Sequence, residues 1–154
     1  MELLISVESV SSQELEKILQ AHWEFCNAST PAEHVYAVNP AKLFSPGITV
    51  FAGRVNGEIA SVGALRVLEP GHAELKSMHT LAKYRGQGFG KLMVQHIETF
   101  AKAQNIGKLS LETGTSELFK PARTLYTSLG FMKSDAFGDY VLSEDNICMS
   151  KEIE

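Results

Sequence analysis

The chain has 154 residues, of which 44% are hydrophobic, and a formal net charge of −4. This length predicts one domain with its own core over residues 1–154. The chain has no run of about 18 apolar residues, which argues against a membrane span. Its N-terminus has no basic region followed by an apolar stretch, which argues against a signal peptide. Cys26 and Cys148 have no metal-ligand spacing, and the acidic balance argues against nucleic acid. We expect a cytoplasmic monomer or homodimer with free thiols and no metal.

Charge is unevenly distributed along the chain. Residues 42–134 hold twelve basic and six acidic residues, whereas residues 1–41 and 135–154 each hold one lysine and six acids. A positive centre suits a polyanionic ligand, and acidic flanks suit an amine. Carboxylates in such flanking segments are as often ordinary solvent-exposed residues as they are part of a binding site.

The N-terminal region predicts a strand followed by a helix. Residues 3–7 are apolar and strand-like. Ser11 and Glu14 form a capping-box pattern before an apolar stripe at helical spacing that includes His22 and Cys26.

The next segment predicts a short helix and three strands. Thr30-Pro31-Ala32-Glu33 is typical of a helix start, and this helix should run to about residue 38. Asn56-Gly57 between residues 48–54 and 58–68 indicates a hairpin, and residues 72–80 form the following strand.

The C-terminal half alternates helices with strands. Gly130 should end the last helix, with Phe131 packing back on it. The predicted order is a helix to residue 104, a strand at 109–113, a helix at 121–129, and strands at 131–134 and 147–153.

The segment Tyr84-Arg85-Gly86-Gln87-Gly88-Phe89-Gly90-Lys91 joins a strand to a helix. Glycines at alternate positions let the backbone approach a ligand closely. The N–H groups at a helix start are unpaired and lie at the positive end of the helix dipole, and Arg85 and Lys91 add charge. The segment therefore predicts a pyrophosphate site. A dinucleotide fingerprint would need glycine at Lys91, and a Walker loop would need Ser or Thr at Leu92.

Two motifs in this order, Arg85-x-x-Gly88-x-Gly90 and Leu125-Tyr126-x-x-x-Gly130-Phe131, resemble the GCN5-related N-acetyltransferase (GNAT) superfamily, in particular its small bacterial single-domain members. The resemblance spans roughly residue 48 to the C-terminus. It implies an α/β fold: a mixed, twisted central sheet of about seven strands with four helices, splayed between strands 72–80 and 108–113. It also implies acetyl-CoA as co-substrate, with its pantetheine arm in the splay.

The same resemblance implies which residues contact coenzyme A. Backbone N–H groups near Met78 would meet the acyl oxygen. Many family members have an Asn where this chain has Phe119, so that contact is either absent or made by Thr115 or Ser116. The expected set is Met78, His79, Thr80, Arg85, Gly86, Gln87, Gly88, Phe89, Gly90, Lys91, Ser116, Phe119 and Tyr126.

Acyl transfer to an amine needs a base for the ammonium and an acid for the leaving thiolate. Tyr126 is the candidate acid, and the alternative is a packing residue on the apolar face of its helix. Glu74 is the candidate base, because it is the carboxylate on strand 72–80 and Lys76 shares its strand face and could orient it. The resemblance would place the acidic residue at Lys76, so Glu74 lies one pleat earlier. His79 has a suitable ordinary pKa but should face the opposite side of the strand. His34 and His72 remain further candidates for the base.

The acceptor side should be built from the first helices and the last loop. Its candidate residues are Glu33, His34, Tyr36, Lys76, Asp139 and Tyr140. Carboxylates beside aromatic rings suit a small cationic amine. The sequence therefore predicts an acetyl-CoA-dependent N-acetyltransferase acting on a small amine, amino acid or peptide. The alternative is a non-catalytic acyl-CoA-binding module. A hydrolase lacks support because no G-x-S-x-G motif is present.

Overall fold

The computed structural model describes residues 2–28, 30–31 and 42–154. Its elements are β1 Leu4–Glu8, α1 Gln13–Asn27, β2 Ile48–Val55, β3 Glu58–Glu69, β4 His72–Thr80, α2 Phe89–Ala103, β5 Lys108–Gly114, α3 Lys120–Ser128, β6 Met132–Ser134 and β7 Asn146–Glu152. Each predicted strand is present. The helix predicted from Pro31 to about residue 38 lies outside the described residues, so only three of the four predicted α-helices can be located. None of these three is long and apolar enough to cross a bilayer.

The seven strands form one sheet in the order β1-β2-β3-β4-β5-β7-β6. All neighbours are antiparallel except β4 and β5, which run parallel at the centre. These two strands pair only through residues 72–74 and 108–110 and then separate. The predicted mixed seven-stranded sheet with a splay between its middle strands is confirmed.

Helices cover both faces of the sheet. On one face, α1 buries Leu15, Ile18 and Leu19 against β2 and β3. On the other face, α2 and α3 bury their apolar stripes in a larger cluster with β4, β5 and β7. Because helical residues three and four apart share a face, this packing follows from the apolar spacing of each helix. The splay therefore opens between two helical layers.

The N-terminus of α1 is capped by Ser12. Its Oγ accepts a hydrogen bond from the backbone N–H of Leu15 at 3.2 Å. The capping box predicted for Ser11 and Glu14 is therefore wrong by one residue. Glu14 instead accepts a hydrogen bond from the backbone N–H of Ile59 at 2.9 Å, and so ties α1 to β3.

The C-terminus of α3 ends as predicted. Gly130 has a left-handed φ of +97°, which glycine adopts without steric cost. The N–H of Phe131 then bonds the carbonyl of Tyr126 at 3.0 Å, and that of Gly130 bonds the carbonyl of Thr127 at 3.1 Å. The rings of Phe131 and Tyr126 meet edge to face, with centroids 5.9 Å apart. This turn fixes where Tyr126 lies.

Strand β4 contains a bulge at Ser77, whose φ is +56°. Lys76 pairs with Ala64 and His79 with Val62, so two residues of β4 oppose the single Gly63 of β3. The extra residue reverses the alternation of side chains beyond it. His79 therefore lies on the same face as Glu74, and the expectation that it faces the opposite side is wrong.

We expect Gly63→Ala to destabilise the protein by about 1–3 kcal/mol through overpacking. A Cβ at Gly63 would lie 2.6 Å from Met78 Sδ and 2.9 Å from Ile97 Cδ1. Gly107→Ala is the matched control, because a Cβ there meets only the carbonyl oxygen of Ile153 at 3.9 Å. Urea unfolding measures both variants, and equal midpoints would contradict the close approach at Gly63.

Candidate functional site

A cavity of about 510 Å³ occupies the splay between β4 and β5. It continues under α1 and towards the starts of α2 and α3. Its polar and aromatic lining comprises His22, Phe25, Cys26, Thr30, Ser61, Glu74, Lys76, Ser77, His79, Thr80, Arg85, Glu112, Thr113, Glu117, Phe119, Tyr126, Tyr140 and Asp145. Met78 also lines it. The cavity thus brings together half of the residues that the sequence proposed for the two reactants, including Glu74, Lys76 and Tyr126.

One end of the cavity meets the glycine loop. Gly86 and Gly88 have φ values of +79° and +80°, and no atom lies within 4 Å of the Cβ that either would carry. No other described backbone group accepts a hydrogen bond from the N–H groups of residues 86–91, which lead into the first turn of α2. Open space beside free N–H groups at a helix start fits a pyrophosphate. Gln87 and Lys91 are exposed beside this space.

Two other members of the loop serve packing. Phe89 is buried with Val55 and Ala60. A Cβ at Gly90 would lie 3.1 Å from Leu125 Cδ2, so this glycine allows α2 to approach α3. Of the loop residues, only Arg85 and Gly90 reach the cavity itself.

Arg85 lies at the mouth of the cavity. Its Nε donates a hydrogen bond to the carbonyl of Thr80 at 3.0 Å, and its guanidinium lies 5.6 Å from the centroid of the Phe25 ring. These contacts hold a fixed positive charge between the glycine loop and the splay. Thr80 shares a hydrogen bond with Ser61 at 3.2 Å.

A cluster of buried polar groups occupies the deeper part of the splay. Lys76 Nζ lies 3.4 Å from Glu74 Oε2 and 3.2 Å from the Tyr140 hydroxyl. The Tyr140 hydroxyl in turn donates to Glu74 Oε2. Glu74 is only 1% exposed, and its Oε1 is the one buried side-chain polar atom among the described residues without a hydrogen-bond partner. One oxygen of this carboxylate is therefore buried without a hydrogen-bond partner in a residue that lines the cavity.

Glu112 on β5 is a site residue that the sequence analysis missed. It lines the cavity and accepts a hydrogen bond from Asn146 Nδ2 at 3.1 Å. Burial, reinforced by the charge of Glu74, raises its pKa above the ordinary value. The available signal in the sequence was a carboxylate on the predicted strand 109–113, which borders the splay.

Tyr126 lines the cavity from α3 and is 6% exposed. Burial raises the pKa of its phenol, with a smaller contribution from Cys26, so the hydroxyl stays protonated throughout the neutral range. Its ring also packs in the core. The packing and functional interpretations of Tyr126 are therefore compatible.

Helix α1 contributes two more cavity residues, His22 and Cys26, which the sequence placed only in its apolar stripe. His22 Nδ1 lies 3.3 Å from His79 Nδ1, and Cys26 Sγ lies 3.6 Å from His22 Nε2. Burial lowers the pKa of His22 to about 3, with contributions from His79 and Lys76. Burial, assisted by Arg85, lowers that of His79 to about 4. His79 therefore lacks the ordinary pKa expected of it.

Phe119 closes one wall of the cavity. Its ring covers Gly114, where a Cβ would lie 2.3 Å from the ring, and meets Phe25 edge to face at 5.3 Å. Arg123 fixes the adjoining turn by donating to the carbonyls of Gly114 and Ser116. An aromatic ring therefore occupies the position where the resemblance would place an Asn side chain.

Some proposed residues are not brought into the cavity. Ser116 and Asp139 do not line it, and Asp139 is exposed. His72 bonds Ser110 at 2.7 Å, away from the cavity. Glu33, His34 and Tyr36 lie outside the described residues, and their assignments remain predictions. Among the described residues, no three His, Cys, Asp or Glu side chains are grouped to hold a metal ion.

Comparisons with known proteins agree with this geometry. The acetyltransferase (GNAT) family matches residues 15–131. The uncharacterized N-acetyltransferase YsnE of Bacillus subtilis is 33% identical over 149 residues, which cover 97% of this chain and 99% of its own. The uncharacterized N-acetyltransferase YedL of Escherichia coli is 31% identical over 138 residues, covering 90% and 87%. A GNAT acetyltransferase of Elizabethkingia anophelis, solved with acetyl-CoA bound, shares the fold, with a TM-score of 0.74 at 18% identity and coverage of 98% of each chain.

We expect Tyr140→Phe to lower the free energy of unfolding by about 1–3 kcal/mol, because it removes a donor from a buried carboxylate. Tyr84→Phe is the matched control. The Tyr84 hydroxyl bonds Glu58 at 3.1 Å, but Glu58 keeps its ion pair with Lys83 at the surface. Similar losses in both variants, measured by urea unfolding, would show that the buried cluster depends little on Tyr140.

Proposed function

This chain belongs to the acetyltransferase (GNAT) family and acts as an N-acyltransferase, and from that premise we propose that it transfers the acetyl group of acetyl-CoA to the primary amine of a small molecule, amino acid or peptide. The acceptor would attack directly while both reactants are bound. One observation carries the proposal: a single cavity connects an open glycine loop at a helix start to a buried carboxylate with a free oxygen. This arrangement offers one end for a polyanion and the other for an amine.

The donor end is supported by the backbone of the loop. Gly86 and Gly88 leave space for phosphate oxygens, and the N–H groups of residues 86–91 have no backbone acceptor among the described residues. Arg85 lies between this loop and the splay. Bound acetyl-CoA supplies an activated thioester. The chain's residues hold its pyrophosphate at the loop, so that the pantetheine arm runs along β4 beyond the point where β5 departs.

The acceptor end is supported by Glu74. An ammonium with an ordinary pKa near 10 has to lose a proton before its nitrogen can attack. Glu74 Oε1 is the free acceptor for that proton, taken directly or through one water. Tyr140 and Lys76 hold the other oxygen, Oε2, and so orient the carboxylate. Tyr126 is the proposed donor to the leaving sulfur, because its protonated hydroxyl lines the same cavity.

The test is a panel of amines with acetyl-CoA, read as release of free thiol and paired with calorimetry of coenzyme A binding. We expect turnover with at least one amine class. Gly88→Val should weaken coenzyme A binding severely, because a side chain would occupy the phosphate space. Gly57→Val is the matched control: its φ of +85° and open surroundings resemble those of Gly88, but it lies in the β2–β3 turn. Tight binding without any turnover would favour a non-catalytic acyl-CoA-binding module.

We expect the proposed base and the proposed acid each to be needed for turnover. Glu74→Gln should lower kcat about 10²–10⁴-fold, because an amide cannot take the proton from the acceptor amine. Tyr126→Phe should lower kcat by a similar factor, because no hydroxyl then donates to the leaving thiolate. Steady-state assays at saturating acetyl-CoA measure both variants. A Glu74→Gln variant with wild-type kcat would move the base to another residue.

A further inference from the structure

Three residues from two elements form a continuous line of contacts along one wall of the cavity. Cys26 and His22 lie one turn apart on α1, with Cys26 Sγ 3.6 Å from His22 Nε2. His22 Nδ1 then lies 3.3 Å from His79 Nδ1 on β4. The ring centroids of His22 and His79 are 5.2 Å apart, at an interplanar angle of 62°. All three residues line the cavity, and the acid and base proposed above do not include any of them.

These contacts couple the tautomers of the two rings. Two Nδ1 atoms that face each other can bond only if one carries the proton and the other does not. A thiol that faces an imidazole nitrogen lacking hydrogen donates its S–H to it. If Cys26 donates to His22 Nε2, then His22 carries its proton on Nδ1 and donates to His79 Nδ1. His79 must then carry its own proton on Nε2, the ring nitrogen that does not contact His22.

The surroundings keep all three groups uncharged. Burial and the charge of Glu112 raise the pKa of Cys26 to about 12, so it remains a thiol and a donor. Burial is the main cause of the lowered pKa values of His22 and His79. The charge of Lys76 on β4 also disfavours protonation of His22, and the charge of Arg85, which follows β4, disfavours protonation of His79. The Phe25 ring of α1 meets the His79 ring edge to face, at a centroid distance of 5.9 Å.

We propose that Cys26 and His22 form a tautomer-setting relay that presents His79 Nε2–H to the cavity as a neutral donor to the acyl oxygen of the donor substrate. His79 lies directly after the bulge, on the stretch of β4 that has left β5. A neutral imidazole N–H can stabilise charge developing on a carbonyl oxygen without being a strong acid. His79 is then a catalytic residue, and His22 and Cys26 are positioning residues. The catalytic part rests on the proposed acetyl transfer, whereas the tautomer order does not.

The first test reads the tautomers directly and needs no turnover. Long-range ¹H–¹⁵N correlation spectra of the labelled wild-type protein distinguish a protonated Nδ1 from a protonated Nε2. His22→Gln and His79→Gln variants assign the signals among the five histidines. We expect His22 to carry Nδ1–H, His79 to carry Nε2–H, and both to remain neutral between about pH 5 and about pH 8. The opposite tautomer in either ring, or protonation of either within that range, overturns the proposal.

The second test measures catalysis. His79→Phe should lower kcat on the order of 10²-fold with little change in the KM for acetyl-CoA. His22→Phe should lower it about 10-fold, and the double variant should be no slower than His79→Phe, because His22 acts only through His79. His96→Phe, an exposed histidine on α2, should retain wild-type kcat. Additive losses of kcat in the double variant, or wild-type kcat in His79→Phe, overturn the catalytic role of His79. An enzyme without turnover on any amine, but with the expected tautomers, overturns the proposed function alone.

Discussion

The separation of β4 from β5 is the constraint on which the rest of the structure depends. The two strands share three residue pairs before they part. A sheet that parts at its centre leaves backbone groups and inward side chains without their usual neighbours, and buried polar groups need partners. The cavity, the internal charges and the aromatic wall all lie in this gap. The remaining sheet, paired continuously on both sides, and the helices on its two faces keep the gap open.

Inside the gap, the polar groups satisfy one another only in part. Glu74 and Lys76 are both nearly enclosed, and removing two charges from water is costly unless their geometry and hydrogen bonds are good. Tyr140 reaches in from the loop between β6 and β7 and bonds both partners. The arrangement leaves one carboxylate oxygen free. Such incomplete satisfaction is more typical of a functional site than of a scaffold, because stability alone would favour an apolar pair here.

The sequence predicts the elements far better than it predicts which side chains meet. Local signals were sufficient for the hairpin at Asn56-Gly57, the turn at Gly130 and the glycine loop, since each depends on backbone conformation within a few residues. They could not reveal the bulge at Ser77, because it depends on how β4 registers against Gly63 of β3. The face of His79 was mispredicted for that reason. His22 and Cys26 were missed as site residues because only the tertiary packing of α1 over the gap brings them to the cavity.

The bulge at Ser77 also constrains how this strand can change. It places Met78 against Ile97 of α2 and His79 against His22 of α1, on opposite faces of the sheet. Regular pairing of the same residues, without the bulge, would exchange these environments, with the thioether on the α1 face and the imidazole in the hydrocarbon core. Substitutions along β4 alter one contact at a time, whereas a change in its pairing with β3 would rearrange every side chain beyond the bulge. The bulge should therefore be more tightly maintained in this segment than the identity of any one residue.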